Sequence, residues 1–378
     1  MRIAIDYTPA YEQTAGIGRY VRELVAHLAY QDDQTAYQLF VAGAKSGDLP
    51  AVPGRNFSWK TTPVTRRWFI RLWYRLHLPV PIQWFTGKID LYHATDFMLP
   101  PIAGSIPTLL TVHDLSFVRV PETAMPRLKQ FLDEVVPRSV ERATHVLADS
   151  TATKNDLIEL YDTPAEKITV LLSGVEARFR RVETGLATVR EKYGIPPGDY
   201  ILTVGTVQPR KNYARLIEAL AGIHAQGHQV HLVIAGGPGW LSDPIFDTIK
   251  ATEMQKFVHL IGFVDDDDLP ALYSDAACVA FPSLYEGFGF PILEGMACGT
   301  PVITSNVSSM PEAAGDAALL VDPYDVGAIA DALVRLLTDE HLRQQLIERG
   351  YRRARHLTWD RSANQLKLIY QHLLASKC

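Results

Sequence analysis

Residues 281–302 read FPSLYEGFGFPILEGMACGTPV, and this stretch decides how the rest of the chain is read. Pro291 suits the first turn of a helix and Gly299 the residue just past its end, so the two bracket a helix. A loop containing Gly287 and Gly289 feeds it. Glycine leaves the backbone open to close approach by a ligand. A glycine loop opening on a helix N-terminus suits an anion such as a diphosphate. Glu286 stands before the loop and Glu294 about one turn into the helix. Each can accept hydrogen bonds from sugar hydroxyls, at opposite ends of a bound diphosphate. A helix-dipole carboxylate and ordinary turn glycines would explain these residues singly, but not the constellation.

Outward from this stretch, short β-rich runs alternate with helical patterns. The first half offers strands at Arg2–Asp6, Tyr37–Ala42, Ile89–Ala94, Thr108–His113, His145–Asp149 and Ile168–Leu172. The second offers Tyr200–Val204, His231–Ala235, Val258–Ile261, Ala277–Phe281, Val302–Ser305 and Ala318–Val321. Helical patterns such as Gly18–Leu28, Arg127–Arg142, Thr151–Leu160, Tyr213–Ala225 and Val326–Leu337 separate them. Strands of this kind with crossover helices form parallel sheets buried on both faces. They are too many for one comfortable open sheet, and the charged, Gly/Pro-rich stretch Ser173–Asp199 reads as a linker region. Two doubly wound domains facing across a cleft are expected, with chemistry just beyond the carboxyl ends of strands.

Composition narrows the class. The chain has 378 residues, 47% hydrophobic and 21% charged, with net charge −5, enough apolar material for two cores and far from a disordered balance. Gly 25 and Pro 24 exclude a collagen-like chain. No apolar run approaches the roughly 20 residues of a spanning helix. The opening MRIAIDYTP reads as a first strand rather than a signal peptide. Cys278, Cys298 and Cys378 make no disulfide framework and no metal spacing, which favours a reducing, cytoplasmic compartment. Mild acidity argues against nucleic acid as a partner.

Glu286 and Glu294 form an E-x7-E pattern, with Phe281-Pro282-Ser283 before it and Gly299-Thr300-Pro301-Val302 after it. Here the sequence resembles the retaining glycosyltransferases of the group-1, family-4 type, which have the GT-B fold. The resemblance implies an α/β protein: an acceptor-binding Rossmann-like domain over 1–175, a nucleotide-sugar-binding one over 176–356, and a C-terminal helix over 357–378 crossing back to the first. It implies that Glu286 contacts the transferred sugar and that the amides of Gly287, Phe288 and Gly289 lie near sugar and diphosphate. Glu294 would bind the nucleotide ribose.

Other segments acquire roles from the same resemblance. In TVGTVQPRKN (203–212), which alone would read as a solvated turn, Arg210 and Lys211 become the basic pair that grips the donor phosphates, with Gly205 in the turn. Many relatives carry Arg directly after Val-Gly; here that position is Thr206, so the charge falls to Arg210 and Lys211. Gly236, in AGGPGW (235–240), brings backbone to the nucleotide or is simply a tight turn. Phe263 and Val264 lie in the segment whose main chain reads the base edge. The acidic run Asp265–Asp268 invites a metal reading, but acids are expected at the start of the helix that follows. No metal and no cofactor are expected; the nucleotide-diphosphate sugar is the co-substrate.

The first half carries the acceptor side. AGIGRY (15–20) lacks the dinucleotide fingerprint, since position 21 is Val21. By resemblance Gly16 and Gly18 lie near the donor diphosphate and acceptor, with Arg19 assisting. His113, at a strand end in TVHD (111–114), is assigned to donor-sugar positioning through its carbonyl or ring, although a lone His is commonly a satisfied loop residue. His93 and Asp96, in YHATD (92–96), are acceptor candidates. From Leu49 to Ile89 there is no Asp or Glu, yet seven Arg/Lys and Trp59, Trp68, Trp73 and Trp84. Arg67, Arg71 and Arg75 recur at i, i+4 beside an apolar stripe of Phe69, Leu72, Trp73 and Leu76. A helix over 60–78 meets an anionic membrane or a lipid-diphosphate acceptor, or packs on the core with a solvated face; both readings stand. A last helix is expected to follow Thr358, ending near Leu374.

The expected function is retaining transfer of a hexose from a nucleotide-diphosphate sugar to a hydroxyl of a saccharide or lipid-linked acceptor. The Gly-Ile-Gly-Arg-Tyr and Pro-Arg-Lys-Asn pieces resemble bacterial mannosyltransferases of polysaccharide assembly, which points to mannose from GDP-mannose, with UDP-sugars as the alternative. Such work is expected in the cytoplasm, at the inner face of the membrane if residues 60–78 touch it. The rivals are a non-catalytic sugar-nucleotide-binding protein of the same fold and a nucleotide-dependent oxidoreductase, which the absent dinucleotide fingerprint disfavours.

Overall fold

The computed structural model describes residues 1–14 and 16–375. Ala15 of the early glycine loop and Cys378 lie outside the described residues.

The first sheet has β1 (Arg2–Asp6), β2 (Ala36–Ala42), β3 (Phe57–Thr62), β4 (Leu91–Ala94), β5 (Thr108–Val112), β6 (His145–Ala148) and β7 (Ile168–Val170). Their order is β3-β2-β1-β4-β5-β6-β7, every neighbouring pair parallel. The second has β8 (Tyr200–Val204), β9 (His231–Ala235), β10 (Val258–Gly262), β11 (Cys278–Phe281), β12 (Val302–Ser305) and β13 (Ala318–Val321). It runs β10-β9-β8-β11-β12-β13, again wholly parallel. The fold is α/β with two doubly wound sheets. In each, the strand order reverses beside the first strand of its half, between β1 and β4 and between β8 and β11.

A shared core holds the layers of the second sheet together. Leu232, Ile234, Cys278, Ala280 and Ile303 are sealed under helices. Leu216, Ile217, Leu220 and Ile223 form the inner face of the helix Tyr213–Ala225, and Ile329, Leu333 and Leu336 that of Val326–Thr338. Each such side chain contributes about 1.5–3 kcal/mol relative to exposure.

Two features differ from the sequence reading. Residues 57–62 form a seventh strand, β3, paired in parallel with β2 at the sheet edge, so the helix expected over 60–78 is shorter. It comprises Arg66–Phe69 continued by a π-helical stretch, Ile70–Arg75. The alternation Phe57-Ser58-Trp59-Lys60 carries a strand, masked by the surrounding cations and tryptophans.

The chain forms two compact units. The first comprises Met1–Leu115, Gln130–Gly174 and the helix Trp359–Ala375; the second comprises Ser116–Lys129 and Val175–Thr358. The last helix packs in the first unit on the helix Ile17–Gln31, where Lys367 Nζ donates to the Gln31 carbonyl at 2.7 Å and His27 Nδ1 lies 2.8 Å from Asp360 Oδ1. Among the described residues, no helix is long and apolar enough to cross a membrane.

Candidate active site

Because β8 and β11 are parallel neighbours, the loops that leave them emerge side by side. The first turns through Gly205 (φ 148°) into a short 3-10 turn, Pro209–Lys211. It ends at left-handed Asn212 (φ 61°), which caps the helix Tyr213–Ala225. The Asn212 side-chain amide donates to the carbonyls of Pro282 (3.0 Å) and Pro323 (2.6 Å), and the Leu284 N–H donates to the Arg210 carbonyl (2.9 Å). The two loops are thereby sewn together.

This stitching brings three charges into contact. Lys211 Nζ donates to Glu286 Oε1 at 2.8 Å, and Arg210 Nη1 to Glu286 Oε2 at 2.6 Å and to the Tyr285 carbonyl at 2.7 Å. The Lys211 ammonium also lies 4.6 Å from the centroid of the Phe281 ring, a cation–π contact. The side chains of Lys211 and Glu286 are only 10% and 9% exposed, so water screens the cluster poorly. Burial alone would raise the Glu286 carboxyl; the Arg210 and Lys211 charges outweigh it and hold the group below its usual range. The cluster joins two cations to one carboxylate. The Ser308 and Ser309 hydroxyls fix the loop from behind by donating to the Glu286 carbonyl at 2.6 and 2.8 Å. Neither serine was singled out in the sequence, because only the fold brings the end of β12 beside that of β11.

Glu294 lies in the helix Phe290–Ala297, almost wholly buried. Its Oε2 accepts a 2.6 Å hydrogen bond from the Tyr273 hydroxyl, and the Tyr273 carbonyl accepts one from Thr300 Oγ1 at 2.5 Å. Pro291 stands in the first turn and Gly299 (φ 72°) follows the end, as their spacing predicts, and Gly289 (φ 102°) is the N-cap. Gly287 and Phe288 are buried in the same loop. A Cβ on Gly236 would stand 2.0 Å from the Gly205 carbonyl oxygen, so glycine there permits the backbones leaving β8 and β9 to approach closely. Beyond β10, Phe263 is 63% exposed while Val264 is buried.

The acidic run is accounted for locally. Lys192 Nζ bonds Asp265 and Asp268 at 2.7 and 2.6 Å, and Arg178 Nη1 lies 3.3 Å from Asp266. Asp268 occupies the N-cap position without capping through its side chain. Among the described residues, no group of three or more His, Cys, Asp or Glu is placed to hold a metal ion.

In the first unit, His113 is buried at the end of β5. Nδ1 lies 2.7 Å from Asp149 Oδ2 and Nε2 2.9 Å from the Thr95 carbonyl. Facing a carboxylate and a carbonyl, both ring nitrogens carry hydrogen, and the ring is an imidazolium. Burial pulls its pKa down, but the Asp149 charge more than offsets this and raises it to about 9. The His113 carbonyl accepts from Thr153 Oγ1 at 3.1 Å. Neither Asp149 nor Thr95 carried a sequence signal.

The remaining sequence candidates fare differently. His93 is fully buried, its ring nitrogens 2.7 Å from the Tyr370 hydroxyl and 2.9 Å from Thr111 Oγ1. Burial lowers its pKa to about 3, so it is a neutral core residue whose ring is enclosed with Tyr370 and Thr111 rather than exposed as the sequence reading expects. Asp96 is buried and paired with Arg66, which also faces Glu12 at 3.7 Å. Gly18 is a packing glycine, since a Cβ there would strike the Gln13 carbonyl oxygen at 2.0 Å. Gly16 (φ 48°) precedes the helix Ile17–Gln31, and Arg19 is half-buried in its first turn.

A segment that the sequence did not flag joins the second unit. Val120 packs with Leu284 and Tyr285, directly before Glu286, and the Thr123 carbonyl accepts from Trp240 Nε1 at 2.8 Å.

Residues 187–353 match the family described as "Glycosyl transferases group 1", and residues 14–179 that described as "Glycosyltransferase Family 4". The chain is 31% identical over 383 residues to O-antigen chain mannosyltransferase B of Escherichia coli, covering 99% of this chain and 100% of that one. It is 32% identical over 317 residues to D-inositol 3-phosphate glycosyltransferase of Salinispora arenicola, covering 77% and 70%. Among solved structures, sucrose-phosphate synthase of Thermosynechococcus elongatus superposes with a TM-score of 0.80 at 22% identity, over all of both chains. WaaG, a glycosyltransferase involved in lipopolysaccharide biosynthesis, gives 0.72 at 18% identity over 97% and 98%. At these identities the superpositions speak to the fold.

Proposed function

The chain belongs to the group 1 glycosyltransferases of family 4, and from that premise we propose that it moves a mannosyl residue from a nucleotide-diphosphate sugar to a hydroxyl of a saccharide or lipid-linked acceptor, with retention of anomeric configuration. The reading rests on one observation above all: Arg210, Lys211 and Glu286 meet in a buried cluster where the loops after β8 and β11 run together. There the two cations take the donor diphosphate and stabilise it as it leaves. Glu286 accepts hydrogen bonds from the sugar, and Glu294 binds the ribose. Phe263 and Val264 lie against the base.

Transfer runs on one face of the sugar. The anomeric carbon–oxygen bond to the diphosphate breaks, the acceptor oxygen forms the new bond on the same side, and the departing diphosphate oxygen takes the acceptor proton. No side chain attacks covalently. His113 orders the end of β5 as a fixed positive charge, and no metal cofactor is needed. Mannose is favoured over other hexoses by the full-length similarity to a mannosyltransferase of O-antigen chains. On this reading the enzyme works in the cytoplasm at the inner membrane face, on a lipid-linked acceptor.

Calorimetric titration with GDP-mannose and with UDP-sugars tests the donor. Tight binding of GDP-mannose alone supports the assignment, and binding of UDP-sugars alone replaces it. Proton NMR of the product distinguishes retention from inversion, and unchanged turnover in EDTA tests metal independence.

A further inference from the structure

The segment that follows β3 is built to face outward. Its last turn is π-helical: the Leu76 N–H donates to the Arg71 carbonyl five residues back. Inwardly Phe69 is buried and stacks on Trp73 at 4.3 Å. Outwardly Trp68 is 53% and Leu76 63% exposed, Leu78 is exposed with them, and so are Arg67, Arg71 and Arg75. The Arg71 guanidinium lies 4.9 Å over the Trp68 ring, so charge and aromatic surface are presented together. No Asp or Glu occurs between Leu49 and Ile89, in a chain whose net charge is −5.

Beside this turn, within the same unit, lies a cavity of about 260 Å³ lined by Trp73, Tyr74, His77, Arg138, Glu141 and Arg142. Arg142 donates to the carbonyls of Leu99 and Pro100, which anchor it without neutralising it. Arg138 is exposed and shares its charge with Glu134 at 2.8 Å. Glu141 is the one carboxylate on the lining, and its backbone carbonyl is held by Lys167.

We propose that this face seats the protein on an anionic bilayer, with the cavity taking a lipid phosphate headgroup between His77 and Arg138 while Trp68, Leu76 and Leu78 enter the acyl boundary. Apolar insertion and basic attraction are each weak alone and hold a surface together in combination. The proposal rests on the reading of a membrane-bound acceptor given above and adds the residues and ligand class through which the membrane is met.

The test uses the full chain in flotation with phosphatidylcholine vesicles, with and without phosphatidylglycerol, and titration with inorganic phosphate alone. Flotation should require phosphatidylglycerol and weaken with salt. Arg138→Gln should reduce it about fivefold, the worth of one cation near the surface, and Trp68→Ala with Leu76→Ser should abolish it. Both variants should keep the wild-type melting temperature and the wild-type rate on a soluble acceptor. Wild-type protein that does not float overturns this proposal together with the membrane reading. Flotation indifferent to these substitutions overturns this proposal alone. Arg138-dependent binding of inorganic phosphate without flotation would mark a site for free phosphate and overturn the bilayer assignment. None of these results bears on glycosyl transfer, which the soluble-acceptor rate measures separately.

Discussion

Lys211 Nζ and Glu286 Oε1 form a 2.8 Å ion pair across 75 residues of sequence. The pair makes Glu286 a rival of any diphosphate that claims the same cations. Replacing it by Gln keeps the shape and removes the rival. Glu286→Gln should therefore bind inorganic pyrophosphate about tenfold more tightly, ~1.4 kcal/mol. Sugar transfer should meanwhile fall by about a hundredfold or more. Calorimetry and a transfer assay read the two effects; weaker pyrophosphate binding would show that the carboxylate helps rather than competes.

The Tyr273 hydroxyl donates to Glu294 Oε2 at 2.6 Å. A hydrogen bond to a charged group is worth about 1.5–3 kcal/mol. If Glu294 holds the donor ribose, Tyr273→Phe should raise the donor KM by about tenfold and leave kcat near the wild-type value. A fall in kcat at unchanged KM would place Tyr273 in the chemical step.

His113 gives the fold a pH signature. Its pKa rises from the ordinary 6.5 to about 9 in the folded protein. The resulting stabilisation is complete below pH about 6.5 and is lost as pH rises towards 9, at no more than about 1.4 kcal/mol per pH unit. Urea melts across this range should show the decline in wild type and a flatter profile in Asp149→Asn.

Two adjacent glycines should respond oppositely to alanine. At Gly236 the new methyl would overlap the Gly205 carbonyl, whereas at Gly237 nothing lies within 4 Å. Gly236→Ala should lose about 1–3 kcal/mol or more, and Gly237→Ala little. Equal thermal shifts in the two variants would refute close backbone approach as the reason for glycine.

Much of this architecture could be read from residue patterns because its signals are local. The strands are short apolar runs, and Pro291 and Gly299 mark a helix by rules that act within a turn. β3 escaped because an edge strand needs one neighbour and only partial burial, so its pattern is diluted by Ser58, Lys60 and Thr61. The candidate site divides along the same line. Glu286, Glu294, Arg210 and Lys211 stand out as types at spacings, but their pairing depends on β8 lying against β11. Likewise His93 resembles a strand-end ligand until Tyr370, 277 residues away, closes over it. Long-range burial leaves no trace in a local window.

The threading of the backbone also governs how the protein can be subdivided. Each unit is assembled from separated pieces, with four junctions between them rather than one. A polypeptide severed after Gly174 would strip the first product of the helix whose Trp359 and Tyr370 rings lean on Tyr20 and Tyr37. It would strip the second of Val120, which props Tyr285. Neither fragment inherits a complete interior, so an interchangeable module of this enzyme has to be excised by structure and not by a single point along the gene.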